Sequence, residues 1–414
     1  MSGTIGDNVY RASGVVAAAS AGGGISWQDV VTGSTLTAVA GNGYWIDTTS
    51  NECTITLPAS ASNGDQIMFA DYDRTWGTNR IILDSNGLNY QGEDDTYLVK
   101  YTTDGTALHI VYSGATNGWI PTLDKAVIVA KHQYKRSEGI FGFGKTASYV
   151  SMSNLVTDAG VVSTDVTGIG TARSMLAACE YSTDKGIFGF GYDGSDVSTT
   201  NLVTNLGVIG TDVTGVGTAR RYLAACTYGD DKGIFGYGTT GSYFSMTNLV
   251  TNAGVVGTDV TGVGTVRGYL AATEYGLDKG IFAYGHDDTD LSMSNLVTNA
   301  GVVGTDVTGV GTARYGMGAC QYGIDKGIFA FGSGGVSISN LVSNSGVIAT
   351  DQAATTGTQR VYCAACEYGT DKGIMGYGTG LINISNLVSD AGVVSADVTG
   401  VGTARQGLAA CSFN

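Results

Sequence analysis

The feature that most constrains this chain is a unit of 46 or 47 residues that recurs six times from Gly139 onward. Each copy contains an apolar run that begins and ends with glycine, as in residues 186–191 (GIFGFG). The equivalent runs begin at Gly139, Gly186, Gly233, Gly280, Gly327 and Gly373. A fixed period of this length indicates one copied supersecondary unit, in which neighbouring copies bury faces that a single copy cannot cover.

The composition favours β-structure. Glycine makes up 65 of the 414 residues, proline only 2, and 43% of the residues are hydrophobic. Without a Gly-X-Y period this is not a collagen sequence, and with so many apolar residues it is not a disordered one. Because Val, Thr and Tyr are abundant and long helical patterns are missing, we predict an all-β fold of short strands joined by tight turns.

The charge limits the partners. The formal net charge is −15, with 21 basic and 36 acidic side chains, so we expect no nucleic-acid binding through a basic patch. The sequence contains no run of 18 apolar residues, which predicts no membrane insertion. The N-terminus also lacks a charged segment followed by an apolar core, so no secretory signal is expected.

The cysteines follow the repeat. Five of the seven occupy one equivalent position in successive copies, and Thr273 takes that position in the remaining copy. These five are Cys179, Cys226, Cys320, Cys366 and Cys411. Residues one whole repeat apart are too distant for a disulfide, so we interpret them as small buried hydrophobes in a reducing cytoplasm.

The chain divides into regions of different composition. Residues 1–24 are rich in Gly, Ala and Ser and are predicted to form an extended arm. Residues 25–121 hold all four tryptophans and both prolines, and their alternating apolar runs and turn signals predict a small antiparallel β-sandwich. Residues 122–138 are expected to be a connector before the repeat array of residues 139–414, with an added edge strand as the alternative for residues 124–134.

Several phrases in the middle region carry a family resemblance. They are residues 43–50 (GYWIDTTS), 54–60 (TITLPAS), 64–67 (GDQI), 79–84 (NRIILD) and 118–119 (GW). In this order they resemble a small β domain that recurs in tail-fibre and other virion proteins of tailed bacteriophages, and residues 5–11 (IGDNVYR) resemble the start of some phage structural proteins. The resemblance implies a virion protein that is assembled in the host cytoplasm. It further implies an arm that docks to other virion proteins, an adaptor domain, and a homo-oligomer, since such fibre proteins are often trimers.

Each repeat copy divides into four strand-length pieces, which in the second copy are residues 176–181, 186–191, 201–207 and 208–213. Four strands in 40–50 residues are typical of a β-propeller blade. The order of an Arg, a strand ending in Gly-aromatic-Gly, and a third strand after a variable loop resembles the kelch repeat. The paired glycines are spaced, however, and the usual fourth-strand Trp is absent. The resemblance implies a six-bladed kelch-like β-propeller after the sandwich.

The two ends of the array predict how it closes. The C-terminal run has the small residues Ala409, Ala410 and Cys411 but no second strand after it. The corresponding run before Gly139 has Lys131 and His132 where the other copies have Ala and Cys. We therefore expect residues 405–414 to supply the inner strand of the first blade and to close the ring.

Side-chain alternation predicts how the blades pack. Along a regular strand, Phe188 and Phe190 fall on one face, while Ile187 and Gly189 fall on the other. An aromatic face on one blade would then meet a glycine-rich face on the next. Burying each such aromatic would contribute about 1.5–3 kcal/mol.

Two motifs have stronger structural than chemical interpretations. The TGVGTAR phrases, such as residues 214–220, resemble a dinucleotide loop, but Arg replaces the third glycine and no helix follows. We interpret them as turns between blades whose arginines pair with one Asp per copy. These aspartates are Asp165, Asp212, Asp259, Asp306 and Asp397. Cys363 and Cys366 lack the second pair that a zinc site needs.

The sequence favours no catalytic or cofactor site. None of the three histidines lies in a nucleophile motif, and we predict that the chain is not an enzyme. The segment after each Gly-aromatic-Gly strand differs most between copies, which favours a recognition surface whose aromatic residues could stack on sugar rings. A calcium ion near Asp287 stays an open alternative, although the EF-hand spacing is absent. The candidate recognition residues are Tyr149, Tyr192, Tyr243, Phe244, His286, Asp287, Asp288 and Asp290.

These observations predict a structural appendage of a phage virion, such as a tail fibre, whose propeller contacts a host-surface glycan or protein. Two alternatives remain open at this stage. One is a head, neck or baseplate protein without a receptor role, and the other is a virion enzyme that degrades polysaccharide.

Overall fold

The computed structural model describes residues 24–95, 97–122, 133–135, 137–334, 337–352 and 356–413. The predicted arm therefore lies almost wholly outside the described residues, as do Lys131, His132 and much of the predicted connector. The chain forms two compact units, residues 1–135 and 136–414. No helix occurs among the described residues of either unit, and the all-β prediction is confirmed.

The first unit has ten strands within its described residues. They are β1 (Ser26–Trp27), β2 (Thr35–Thr37), β3 (Asn42–Ile46), β4 (Cys53–Thr56), β5 (Gln66–Asp71), β6 (Ile81–Asp84), β7 (Tyr97–Tyr101), β8 (Ala107–Tyr112), β9 (Trp119–Pro121) and β10 (Gln133–Lys135). They form two five-stranded sheets, with the orders β1-β3-β5-β8-β9 and β10-β7-β6-β4-β2. Part of the predicted connector thus pairs as the edge strand β10 against β7.

The prediction of an antiparallel sandwich is wrong for half of this unit. Strand β3 runs parallel to both β1 and β5, and β4 runs parallel to both β2 and β6. The chain alternates between the two sheets through its first six strands, so each parallel pair is connected by a strand of the opposite sheet. The strand of the opposite sheet thus provides the crossover connection that a helix provides in most parallel strand pairs. Turn residues alone do not distinguish it from a series of hairpins.

One apolar core joins the two sheets of the first unit. Ile67 and Phe69 of β5 contact the same cluster as Ile55 of β4 and Leu83 of β6, and all four are fully buried. Alternate residues of these strands point inward, as the period of two requires. Each sheet therefore has one face against the core.

The second unit consists of six three-stranded sheets in the part of it that the structure describes, numbered I to VI in chain order. Sheet I contains β11 (Glu138–Gly142), β12 (Ser153–Val156) and β28 (Ala409–Phe413); sheet II contains β13 (Ala177–Tyr181), β14 (Lys185–Tyr192) and β15 (Asp196–Val203); sheet III contains β16 (Ala224–Tyr228), β17 (Lys232–Gly236) and β18 (Thr247–Val250); sheet IV contains β19 (Ala271–Tyr275), β20 (Lys279–His286) and β21 (Asp290–Val297); sheet V contains β22 (Gly318–Tyr322), β23 (Lys326–Ala330) and β24 (Ser339–Val342); sheet VI contains β25 (Ala364–Tyr368), β26 (Lys372–Gly378) and β27 (Ile382–Val388).

The contacts between these sheets form a closed cycle. The C-terminal strand β28 pairs with β11 in antiparallel register, with Phe141 opposite Ala410. Strand β28 also contacts both β13 and β25, the first strands of sheets II and VI. Sheet I therefore joins the start of the array to its end.

A cycle of six backbone hydrogen bonds shows the same closure. The residue that lies two positions before each first strand donates its N–H to the carbonyl of its equivalent in the preceding copy, over 2.7–3.2 Å. The last link runs from Met175 to the carbonyl of Gly407 at 2.7 Å and so joins the first of these residues to the last. The six residues are Met175, Tyr222, Tyr269, Gly316, Tyr362 and Gly407.

The predicted fourth strand of each copy is reduced to two isolated bridges. In sheet II, Thr200 pairs with Val213 and Val203 pairs with Ile209. The two paired residues are three positions apart on strand β15, but their partners are four positions apart. The extra residue interrupts the ladder. The Asn201 side chain occupies the gap and donates to the carbonyl of Gly210 at 3.0 Å.

The predicted common face for Phe188 and Phe190 is wrong. A β-bulge lies between Gly189 and Gly191, and Phe190 has a φ of 63°. Phe188 therefore faces sheet I and lies 5.3 Å from the ring of Phe143, while Phe190 faces sheet III and lies 5.2 Å from Phe235. The same positive φ, 62–63°, recurs in all six copies, at Phe143, Phe190, Tyr237, Tyr284, Phe331 and Tyr377. Both faces of most sheets thus carry an aromatic side chain.

A buried arginine connects each pair of successive sheets. Arg220 is fully buried, and its guanidinium lies 4.5 Å from the centre of the Phe190 ring of sheet II. Its Nε donates to the carbonyl of Tyr237 in sheet III at 2.6 Å, and a terminal nitrogen donates to Asn248 at 2.8 Å. The equivalents are Arg173, Arg220, Arg267, Arg314, Arg360 and Arg405. Burial lowers the pKa of Arg220 to about 10, so it stays charged at neutral pH.

The repeated aspartates hold the loops between successive sheets more than they pair with arginine. Asp259 accepts hydrogen bonds from the backbone and hydroxyl of Thr218 at 3.0 and 2.7 Å and from Asn248 at 2.9 Å. It lies 3.9 Å from Arg220, the one Arg–Asp pair of this set within 4.0 Å among the described residues. Burial raises the pKa of the Asp259 carboxyl, but the hydrogen bonds outweigh it and keep the pKa below its ordinary value. Asp351, which the sequence prediction missed, has this role in the fifth copy.

We expect Arg220→Met and Arg405→Met to destabilise the second unit by similar amounts, about 3 kcal/mol or more each. Methionine has a similar length but cannot donate to the buried carbonyl oxygens, which would be left unsatisfied. Arg405 joins sheet VI to sheet I, so an equal loss would show that the closing interface is as tightly held as an internal one. Urea unfolding followed by circular dichroism measures both values.

The neighbouring variant Arg221→Met is the matched control. Arg221 is partly exposed and forms an ion pair with Asp196 at 3.1 Å, so its loss should cost less than about 1 kcal/mol. An Arg405→Met variant as stable as the Arg221→Met control would show that the last interface does not hold the array closed.

Candidate functional site

Small side chains surround a central opening in the second unit. The inner strand of each sheet directs one alanine toward this opening. These residues are Ala178, Ala225, Ala272, Ala319, Ala365 and Ala410. Because the six inner strands lie close together, this position leaves little room for larger side chains. The chemically richer residues lie at the two ends of the opening.

Tyrosines cluster at one end, which we call the tyrosine end. The rings of Tyr222 and Tyr269 stack with their centres 3.8 Å apart, and the ring of Tyr362 lies 5.7 Å from that of Tyr222. Sheets III and VI are opposite each other in the cycle of contacts, so these rings meet across the opening. Tyr315 extends the cluster and lies 5.5 Å from Tyr269.

The tyrosine hydroxyls stay protonated. Burial raises the pKa of Tyr222, and the neighbouring Tyr269 adds to the shift. Burial likewise raises the pKa values of Tyr269 and Tyr362. These half-buried rings therefore present neutral hydroxyls that can both donate and accept hydrogen bonds.

A first aromatic cleft, cleft A, lies beside this cluster between the loops of sheets I and II. The rings of Tyr149 and Tyr192 meet edge to face with their centres 6.0 Å apart. The guanidinium of Arg221 lies 4.5 Å from the centre of the Tyr192 ring and donates to Asp196 at 3.1 Å. The Lys145 ammonium lies 4.9 Å from the centre of the Tyr149 ring. Cleft A thus combines two half-exposed rings with two cations and one carboxylate.

A second aromatic cleft, cleft B, lies between the loops of sheets III and IV. The rings of Tyr243 and His286 meet edge to face at 6.3 Å, and Tyr315 lies 5.3 Å from His286. Nδ1 of His286 lies 2.9 Å from Asp290, which also accepts a hydrogen bond from Ser333 at 3.0 Å. Burial raises the pKa of the Tyr243 hydroxyl.

The structure distributes the eight predicted recognition residues over these clefts. Five of them line the two clefts: Tyr149 and Tyr192 in cleft A, and Tyr243, His286 and Asp290 in cleft B. Asp287 and Asp288 form the tip of the adjacent hairpin, where Asp287 accepts from Thr289 at 3.0 Å. Phe244 is half-buried in its loop, where its backbone bonds to Gly238 and Arg267.

Sequence reasoning missed the central tyrosines. Tyr222, Tyr269, Tyr315 and Tyr362 precede the inner strands and do not belong to the variable loops. A signal was available, because one register position of an otherwise uniform repeat changes among Met175, Tyr, Gly316 and Gly407. The residue changes at this position and the sequence changes in the loops lie at the same end of the second unit, so both indicate the same candidate site.

The opposite end of the opening is acidic and is called the glutamate end here. Glu180, Glu274 and Glu367 lie on the inner strands of sheets II, IV and VI, while Thr227, Gln321 and Ser412 alternate with them. Burial raises the pKa of Glu274 well above its usual value, and the charges of Glu180 and Glu367 add to the shift. Within the described parts of the chain, no three His, Cys, Asp or Glu side chains are placed to hold a metal ion.

The remaining motifs have structural roles. The loop glycines of the TGVGTAR phrases lie against Asn and Asp side chains; a Cβ on Gly217 would come within 2.5 Å of Asn248. The Sγ of Cys366 fills the space beside Gly139, and Cys363 is equally buried. The described segments include no helix that could span a membrane.

No protein-family model matches this sequence, and no curated protein matches it either.

We expect Glu274→Gln to stabilise the second unit at neutral pH. The folded chain binds the Glu274 proton more tightly than the unfolded chain does, so the contribution of this carboxyl is most favourable below its ordinary pKa. It is lost as the pH rises through the raised folded value. Glutamine already occupies the equivalent position at residue 321.

Thermal unfolding between pH 4 and pH 9 tests this expectation. The Glu274→Gln variant should melt higher than the parent at pH 8, by about 2–4 °C for each kcal/mol relieved. The difference should shrink toward pH 4. A variant that is less stable at pH 8 would show that the Glu274 charge has a stabilising partner.

Proposed function

We propose that the second unit is a six-bladed β-propeller that binds neutral glycans at its tyrosine end. The observation that carries this proposal is the combination, in both clefts, of half-exposed rings with a carboxylate beside them. The cyclic contacts of sheets I to VI and the pairing of β28 with β11 support the propeller architecture.

Sugar rings match this chemistry. A pyranose has an apolar C–H face, which packs well against an aromatic ring, and hydroxyls around its edge that need hydrogen-bond partners. Tyr149 and Tyr192 in cleft A offer aromatic surface, and Asp196 offers the strongly accepting oxygens that bind pairs of hydroxyls. Cleft B offers the same combination through Tyr243 and Asp290.

The charges favour a neutral glycan over an anionic one. Asp193 and Asp196 lie at the hairpin of cleft A, while Asp287, Asp288 and Asp290 lie at the hairpin of cleft B. Together with the net charge of −15, they repel uronic acids, sialic acids and phosphate groups. Two cations border cleft A: Arg221 is paired with Asp196, and the Lys145 ammonium lies over the Tyr149 ring.

The proposed setting is an appendage of a phage particle. The resemblance of residues 25–120 to a β domain of virion proteins supports it, and residues 1–24 are proposed to dock to other virion proteins. The propeller would then contact the surface of the host cell, binding its glycans without cleaving them.

Retention on immobilised polysaccharides tests the glycan proposal. The full chain should be retained by at least one neutral polymer among dextran, mannan and galactan, and should not be retained by anionic alginate. The double variant Tyr149→Ala/Tyr243→Ala should bind about tenfold more weakly or worse, because tenfold corresponds to about 1.4 kcal/mol of lost contact. Size-exclusion chromatography of the eluted polymer should show no shortening.

The control is Tyr72→Ala, which removes an exposed tyrosine of the first unit and should leave retention unchanged. Retention by alginate alone, or by none of the polymers, would contradict the neutral-glycan proposal. Shortened polymer would instead identify a polysaccharide-degrading enzyme.

Immuno-gold labelling of particles that contain this chain tests the proposed setting. Gold should decorate an external appendage, and a chain without residues 1–24 should no longer be incorporated. Incorporation that persists in the truncated chain would remove the docking role from the arm, and labelling confined to the head or neck would favour a decoration protein.

A further inference from the structure

We infer that the tyrosine end carries two copies of one sugar subsite, cleft A and cleft B, which are separated by 94 residues in the chain. This inference rests on the proposed glycan binding and adds its stoichiometry: two sugar units for each chain. It follows from a second period in the array, twice as long as the first.

The sheets alternate between two shapes. The middle strands of sheets II, IV and VI have 8, 8 and 7 residues and continue into a hairpin with the strand that follows. The middle strands of sheets I, III and V, which are β11, β17 and β23, have 5 residues each and lead into a wider loop. A cleft forms where a wide loop of one sheet lies beside the hairpin of the next, so each cleft needs two sheets.

The residues of the two clefts correspond one to one at this doubled spacing. Tyr149 corresponds to Tyr243, Tyr192 to His286, Asp196 to Asp290, and Arg221 to Tyr315, and each pair lies two repeats, or 94 residues, apart. Every aromatic position of cleft A is again a ring in cleft B, and the carboxylate is identical.

The geometry of the two clefts also corresponds. The Tyr149 and Tyr192 rings lie 6.0 Å apart with an interplanar angle of 75°, and the Tyr243 and His286 rings lie 6.3 Å apart at 72°. In both wide loops the tyrosine makes the same backbone bridge, to Lys145 in sheet I and to Thr239 in sheet III. Two versions of one binding site would keep the same geometry even where their side chains differ, as these two clefts do.

The third equivalent position, at sheets V and VI, lacks the chemistry. Residues 333–339 contain no aromatic residue, and Thr379 stands where Tyr192 and His286 lie. The hairpin of sheet VI is shorter, and Leu381 takes the place of the carboxylate before the pairing residue Ile382. Gln406 stands where Arg221 and Tyr315 lie. The array therefore has three positions for the subsite but the residues for two.

Fluorine NMR of the full chain labelled with 3-fluorotyrosine tests the inference. The probes are the methyl glycosides of glucose, galactose, mannose and N-acetylglucosamine, each titrated into the millimolar range because single sugars bind weakly. Signals are assigned with Tyr→Phe variants at positions 149, 192, 243 and 315. With at least one glycoside we expect saturable shifts in two groups of signals, Tyr149 with Tyr192 and Tyr243 with Tyr315.

Single variants separate the clefts. Tyr149→Ala should abolish the response of Tyr192 and leave the midpoint for Tyr243 and Tyr315 within about twofold, and Tyr243→Ala should do the reverse. The Tyr72 signal should not move in any titration.

The outcomes distinguish this inference from the proposed function. A response in only one group, or loss of both groups in either single variant, would overturn the two-subsite inference while glycan binding stands. No response to any of the four glycosides in the parent chain would overturn both. These parent titrations decide the matter even where a variant does not fold.

Discussion

The architecture of the second unit depends on a buried cation at each interface between sheets. A guanidinium removed from water is costly unless its donors are satisfied and its charge is compensated. Here each arginine donates to backbone carbonyls and stacks on the aromatic ring of the preceding sheet, and Arg220, Arg267 and Arg314 also donate to an asparagine. That ring can lie under the guanidinium only because its own residue adopts a positive φ. The arginine, the positive φ and the aromatic ring therefore require one another, which explains why all three recur in every copy.

Glycine and cysteine complete these interfaces from the inner side. The Sγ of Cys179 occupies the space beside Gly233, where a Cβ would lie 2.5 Å from the sulfur, and Phe235 lies against Gly189 in the same way. Side chains of one sheet thus fill spaces that exist because the neighbouring sheet has glycine, with no side chain, at the facing position. Burial raises the pKa of Cys179, consistent with an inert packing role for the repeated thiols. The high glycine content of the chain has a steric origin at these positions.

The sequence is sufficient to predict the period of the array and its all-β class, but not the details that depend on neighbouring sheets. Strand-length runs and turn signals are local, so the all-β prediction needed no tertiary information. The faces of Phe188 and Phe190 were predicted wrongly because alternation assumes an unbroken strand, whereas Arg173 hydrogen-bonds the carbonyl of Phe190 at the bulge. The parallel pairs of the first unit were missed because nothing in a turn indicates which sheet the next strand joins. The loops of the candidate site were found by their variation, and Tyr222 was not, since a single changed residue is easily overlooked.

The two periods of the array have different physical origins. The short period belongs to residues that touch the neighbouring sheet, such as Arg220 and Asp259, where every interface imposes the same geometry and so the same side chains. The double period appears where those constraints end: in the loops at the tyrosine end, and in Glu180, Glu274 and Glu367 at the glutamate end. Three mutually repelling carboxylates are separated best around a six-membered cycle when neutral residues alternate with them. Hence a unit of two sheets repeats three times at both ends of the opening. The side chains able to hold a ligand differ between these three units, while the interfaces between sheets stay uniform.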